Sequence, residues 1–152
     1  MARLRIHLYV HCWNEETILP HLFRHHSFVE RFVVYDNHST DATPAIVAAE
    51  PRAELRRFDT GETADMDAYL RIKNGAWKES RGRADLVIVC DADEFLFHPA
   101  LDDVLARMRA EDATVLKPAG FDMIGTRAPG PDEDLLRLVP DGARKREFDK
   151  CI

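Results

Sequence analysis

The chain has 152 residues and is 45% hydrophobic, enough for a sizeable core in one compact domain. Its 21 basic and 27 acidic residues leave a net charge of -6, which argues against a general nucleic-acid surface or a polybasic membrane patch, so any phosphate has to be recognised locally. No run approaches the roughly 18 apolar residues of a membrane span, and the Met-Ala-Arg start runs into charge without a signal-peptide core, so the chain reads as cytoplasmic.

Residues 4–12 mix alternation with β-branched and aromatic types and predict a first strand, broken by Trp13-Asn14-Glu15-Glu16. A helix follows, with Asn14 as its expected cap, Glu15 and Glu16 suiting its N-terminal dipole, and Ile18, Leu19, Leu22 and Phe23 as its apolar face. A second strand is expected from Arg31 to Tyr35, ending at Asp36. The turn Asp36-Asn37-His38-Ser39-Thr40-Asp41 then leads into a short helix capped by Thr40 or Asp41, with Pro44 in its first turn.

Leu55 to Phe58 reads as a third strand, and about Ala64 to Ser80 as a helix with Met66, Tyr69, Leu70 and Trp77 on one face and Gly82 near its C-cap. Asp85 to Cys90 is a continuous apolar run, the pattern of a strand buried on both faces of a parallel sheet. After Asp91-Ala92-Asp93-Glu94, the stripe Leu101, Val104, Leu105 and Met108 predicts another helix, and Ala113 to Lys117 a fifth strand. This strict alternation implies an α/β fold: a mostly parallel, Rossmann-like sheet with helices on both faces and right-handed crossovers. Residues 1–118 form the expected core. Residues 119–152, rich in Gly, Pro and Asp and then in mixed charge from Arg144 to Lys150, read as the start of an incomplete second region in a truncated chain.

Cys12, Cys90 and Cys151 form no CxxC pair, and Cys12 and Cys90 read as small core residues. The histidines, His25-His26 among them, lack a metal-site spacing and read mostly as surface or helix-end groups. Chemistry is expected instead at the carboxyl ends of the strands, where open α/β sheets bind ligands. Three polar clusters stand there: Asn14-Glu15, Asp36 with the NHSTD turn, and Asp91-Ala92-Asp93.

On an extended backbone Asp91 and Asp93 project to one side. Their mutual repulsion suits Mg²⁺ or Mn²⁺, which keep positions open for substrate phosphates and neutralise charge on a diphosphate leaving group. Each cluster also has a plainer explanation, as a solvated acidic turn or a helix cap.

Together, Asn14-Glu15, Asp36-Asn37-His38-Ser39-Thr40-Asp41 and Asp91-Ala92-Asp93-Glu94-Phe95 resemble the family 2-like inverting glycosyltransferases of GT-A fold, over residues 4 to about 118. The resemblance implies transfer of a sugar from a UDP- or GDP-linked donor to an acceptor it does not name. It implies that Asp36 contacts the base, Asn14 and Glu15 line the nucleoside pocket, Asp91 faces the ribose or the metal, and Asp93 ligates Mn²⁺ or Mg²⁺. Asn74, on the face of Leu70 and Trp77, is an amide in a place where similar enzymes put polar groups near the donor; the plainer reading is a satisfied, partly buried amide.

The chain departs from this pattern after residue 118. The family's general base lies in the acceptor half, and Asp122, Asp132, Glu133 and Asp134 stand in no recognisable motif. A non-catalytic or truncated nucleotide-binding domain is therefore the main alternative. A nucleotidyltransferase would need a Gly-rich loop after the first strand, where Cys12 to Glu16 has no glycine. An aspartyl-phosphate phosphatase would need a following Thr or Val where Glu94 stands.

Overall fold

All seven residues of β1, Ile6–Cys12, are buried, because this strand runs through the middle of a sheet covered on both sides. The structure, a computed structural model, describes residues 4–60 and 66–144. The expected helix start at Ala64, the side chain of Met66, the charged run past Arg144 and Cys151 lie outside what it describes.

Four strands, β1, β2 (Arg31–Asp36), β3 (Ala53–Arg57) and β4 (Leu86–Asp91), form one all-parallel sheet in the order β3-β2-β1-β4. Between them run α1 (Leu19–His25), α2 (Thr43–Ala49) and α3 (Met66–Gly75), the last continuing as a 3-10 turn over Ala76–Ser80. This is the α/β, Rossmann-like layout expected from the alternation of elements.

Side-chain parity sorts the two faces. Leu8 and Val10 pair in register with Phe32 and Val34 on one side and Ile88 and Cys90 on the other, all buried. On this face Phe23 of α1 meets Phe32 edge-on, with ring centroids 5.0 Å apart. Each such aliphatic side chain removed from water contributes about 1.5–3 kcal/mol. The opposite face carries His7, Tyr9 and His11. Ser80 Oγ lies 2.7 Å from both His7 Nδ1 and Tyr9 Oη, and Tyr9 donates a second contact to Glu79 at 3.0 Å.

Local details depart from expectation where backbone chemistry intervenes. Asn14 does not cap α1: the helix begins four residues later, after Ile18, and Asn14 sits in a left-handed turn at φ 56, a conformation asparagine tolerates better than most residues. Pro44 does lie in the first turn of α2, which starts after Ala42. The long third helix tightens into a 3-10 turn at Gly75, a poor helix former, and Gly82 takes φ 73 just past its end, as a C-terminal glycine should.

The chain divides into two compact units, Met1–Glu94 and Phe95–Ile152. The second contains α4 (Leu101–Ala110), a short antiparallel pair β5 (Phe121–Met123) and β6 (Gly142–Arg144), and a single turn α5 (Leu135–Leu138). In α4 the expected stripe holds: Leu105 is buried and Leu101, Val104 and Met108 are half-buried. Its first turn carries Asp102 and Asp103 and its last Arg107 and Arg109, matching the helix dipole. The fifth strand expected at Ala113 to Lys117 does not form: the segment is irregular, and Val115 is 58% exposed. Thr114 and Val115 favour extended backbone, but a strand needs a partner and a face to bury.

Candidate strand-end site

The chain builds β1, β2 and β3 outward in one direction and then returns to β4 on the far side of β1. The sheet order therefore reverses between β1 and β4, and the region beyond the carboxyl ends at such a reversal is the usual ligand position in open α/β sheets. The loop Trp13 to Glu16 leaves β1 there, and Ala92 to Glu94 leaves β4.

Most of the polar residues at these strand ends knit two loops together. Asn14 N–H donates to Ser39 Oγ at 2.8 Å, and Asn14 Oδ1 accepts from Thr40 N–H at 2.8 Å. Glu16 N–H donates to Asp41 Oδ2 at 3.1 Å, while Glu16 Oε2 accepts from Ala42 N–H at 2.9 Å. Glu15 N–H donates to Thr43 Oγ1, and Asp41 Oδ1 accepts from Thr43 N–H. Asn14, Glu16, Ser39, Thr40 and Asp41 thus form a clasp between the first and second strand-end loops.

Two acidic groups are left over by this clasp. The carboxylate of Glu15 accepts no hydrogen bond from a described residue. Its pKa is raised by burial first and then by the negative fields of Asp93 and Asp41, so Glu15 of the β1 loop and Asp93 of the β4 loop face each other electrically across the switch point. Asp36, fully buried at the end of β2, spends Oδ1 on Ser39 N–H at 3.1 Å and on the Cys12 thiol at 3.9 Å, while Oδ2 has no partner among the described residues. Burial, and then Asp36, push the Cys12 thiol up to about 12, which rules it out as a nucleophile and fits its reading as a core residue.

Asp91 and Asp93 are not side by side on an extended backbone. β4 ends at Asp91, and the chain turns at once: Glu94 N–H donates to Asp91 O at 3.1 Å, and Asp91 N–H donates to Glu94 Oε2 at 3.0 Å. Ala92 is buried in the turn, at 2% exposure, and Asp93 points to solvent. Asp91, paired in register with His11, turns toward α3, where Tyr69 Oη and Lys73 Nζ both donate to its Oδ1, the latter at 2.7 Å. Tyr69 and Lys73, four residues apart, occupy one face of α3, and the ammonium also lies 4.9 Å from the Tyr69 ring centroid.

His11 completes this cluster from below. Only 5% exposed, its ring lies 4.6 Å from that of Tyr69 and 5.6 Å from that of Tyr35, and neither ring nitrogen has a hydrogen-bond partner among the described residues. Burial, reinforced by Lys73 and opposed by Asp91, holds its pKa down to about 4. The histidines are expected mostly at the surface or at helix ends; His25 and His26 do close α1, but His7, His11, His21 and His26 are all buried, His7 and His11 because they alternate along the central strand. Spacing could not reveal Lys73, Tyr69 or His11 as site residues, since nothing in it says that α3 docks over the end of β4.

Asn74, one residue on from Lys73, is exposed rather than partly buried, and Leu70 is 44% exposed. With Asp67, Arg71, Gly75 and Lys78 they line a shallow open depression on the outer side of α3. In the second unit, Glu133 pairs with Arg127 and accepts from Gly130 N–H at 2.7 Å, and Asp134 caps α5 through Leu136 N–H. Asp122 and Asp132 are exposed.

Among the described residues no three His, Cys, Asp or Glu side chains gather into a ready-made metal cage. Mg²⁺ sites completed by substrate phosphates need only one or two carboxylates, and the oxygen ligands of Asp93, Asp91 and Glu15 are of that hard type.

The fold and these strand ends define a doubly wound α/β domain with acidic residues on the loops at its topological switch point. No protein-family model matches the chain, and no curated protein does. Among solved structures it is similar to a 4-diphosphocytidyl-2C-methyl-D-erythritol synthase, with 15% identity and a TM-score of 0.46, over 97% of this chain and 71% of that one. At that level the likeness bears on neither substrate nor mechanism.

Proposed function

We propose that the first unit binds a nucleoside diphosphate sugar, with Mg²⁺ or Mn²⁺, at the carboxyl ends of β1 and β4, and that the protein is a glycosyltransferase. One observation supports this above the rest: the strand order reverses between β1 and β4, and the carboxyl ends of those two strands lead into Glu15 on one side and Asp91 and Asp93 on the other. A divalent cation there supplies charge neutralisation for a diphosphate leaving group. Asp93, exposed at the tip of the turn, and Asp91 are its ligands. Asp36, at the end of β2 with one oxygen unpartnered among the described residues, is a hydrogen-bond acceptor for base or ribose. The loop after β1 lacks the glycines that let a nucleotidyltransferase backbone approach a triphosphate, so sugar transfer is preferred over nucleotidyl transfer. The catalytic base is assigned to none of Asp122, Asp132, Glu133 and Asp134.

Titration calorimetry with UDP, GDP and CDP, each with and without Mn²⁺, tests the reading. The metal should tighten at least one of them about tenfold or more, or about 1.4 kcal/mol. Asp93→Asn should remove that metal dependence, whereas Asp36→Asn should weaken binding and leave the metal effect in place. Equal binding by the parent and Asp93→Asn in Mn²⁺ would sink the proposal. Release of pyrophosphate from a nucleoside triphosphate and a sugar phosphate would replace glycosyl by nucleotidyl transfer.

A further inference from the structure

Lys73 reaches the end of β4 from α3, and its position is unusual for a surface-helix lysine. Its side chain is 18% exposed, its ammonium is 2.7 Å from Asp91 Oδ1, and it lies against the Tyr69 ring. A lysine this far out of water needs a counter-charge at all times, since an unpaired ammonium in a partly dry site is costly. Asp91 meets that need in the structure as it stands. Yet Asp91, at the end of β4 and two residues before Asp93, is also one of the carboxylates that would hold the proposed cation, so Lys73 and the cation would compete for it.

The second observation is His11. Its ring packs 4.6 Å from that of Tyr69, it is 5% exposed, and both nitrogens are unpartnered among the described residues. Buried polar atoms are nearly always satisfied, so two open nitrogens beside a Lys–Asp pair mark a place prepared for another polar group. The Lys73 ammonium and the Tyr69 hydroxyl already stand at Asp91 Oδ1, so a cation that takes this carboxylate has to displace Lys73.

We propose that Lys73 is a partner-exchanging diphosphate ligand: it neutralises Asp91 in the empty site, yields that carboxylate to the divalent cation, and then pairs with the diphosphate of the nucleotide. This rests on the proposed nucleotide site and deepens it. The two ligands are thereby made interdependent. The metal alone has to displace an ammonium and binds weakly. The nucleotide supplies the counter-charge that Lys73 gives up, so metal and diphosphate bind far better together than apart. Lysine serves as a phosphate partner through its point charge, and its flexible stem lets the ammonium move from one oxygen to another without displacing α3.

The exchange predicts effects of opposite sign from one substitution. In Lys73→Met, Mn²⁺ alone should bind about threefold tighter or more, because its competitor for Asp91 is gone. UDP in saturating Mn²⁺ should bind about tenfold more weakly, because the diphosphate has lost a charged partner. Lys73→Arg should restore most of the UDP affinity. Loss of both affinities together, with a lowered melting temperature, would show a merely structural lysine and overturn the proposal, as would no change in either.

Should Lys73→Met fail to fold, the parent chain carries the same test. Reductively ¹³C-methylated protein, with the Lys73 signal assigned from Lys73→Arg, should show that signal shift on adding Mg²⁺ and shift again on adding UDP; a signal blind to both overturns the exchange. If the parent binds no nucleoside diphosphate, the functional reading falls, while the Mn²⁺-alone comparison still decides whether Lys73 competes for Asp91.

Discussion

At the scale of single residues, the protein keeps several ionisable groups out of water, and their proton balance sets its pH response. Burial holds His11 and His26 down to about 4, helped by Lys73 for the first and by His25 for the second. Between that value and the 6.5 of an unfolded chain, the unfolded state binds more protons. Stability therefore rises with pH through this window, is full above it, and is lost as pH falls toward 4. Each histidine contributes about 1.4 kcal/mol per pH unit inside the window. Urea unfolding from pH 7 to pH 5 should show this decline, and His26→Gln should flatten the slope by about one histidine's share. An unchanged slope would mean that His26 is not held neutral in the folded protein.

At the scale of elements, the 3-10 turn after α3 is pinned to the central strand by one hydroxyl. Ser80, 1% exposed, is shared by His7 and Tyr9. Ser80→Ala leaves two buried polar groups short of a partner and should cost about 1–3 kcal/mol, seen as a lower denaturation midpoint with an unchanged slope. Because the same helix carries Tyr69 and Lys73 to the end of β4, that variant should also loosen the candidate site; tight, metal-dependent nucleotide binding by it would show that α3 is placed by its other contacts. The loop clasp has the converse role. Asn14 bonds to Ser39 and Thr40, and Glu16 to Asp41, and so they hold the backbone that presents Glu15.

At the scale of the whole molecule, stability is expected to be uneven. β1 is buried throughout and paired on both sides, whereas β5 and β6 are three residues each and exposed throughout. Local opening follows such differences in burial. Amide exchange followed by mass spectrometry should find Leu8 to His11 among the slowest amides, and Phe121 to Met123 among the fast ones. Protection of β5 equal to that of β1 would contradict this. Among the described residues no helix is long and apolar enough to cross a membrane, in keeping with the hydropathy of the chain.

Much of the α/β layout was legible in order along the chain. β1, β2 and β4 stand within about two residues of their expected bounds, because a continuous apolar run of β-branched residues has few other stable states. The polar residues at their ends were equally visible, since a buried strand must stop where solvation begins. What sequence could not supply was the pairing. Strand order is a matter of long-range contact, and only that order puts the reversal between β1 and β4 and brings Glu15 toward Asp93. The same holds for Lys73 and Asp91, eighteen positions apart: periodicity shows that Tyr69 and Lys73 share a helix face, but only the docking of α3 decides what that face meets. Where local preference lacked such a partner, at Ala113 to Lys117, no strand formed. Asn14 shows the reverse, a residue with the chemistry of a helix cap that the tertiary fold uses to fasten two loops together.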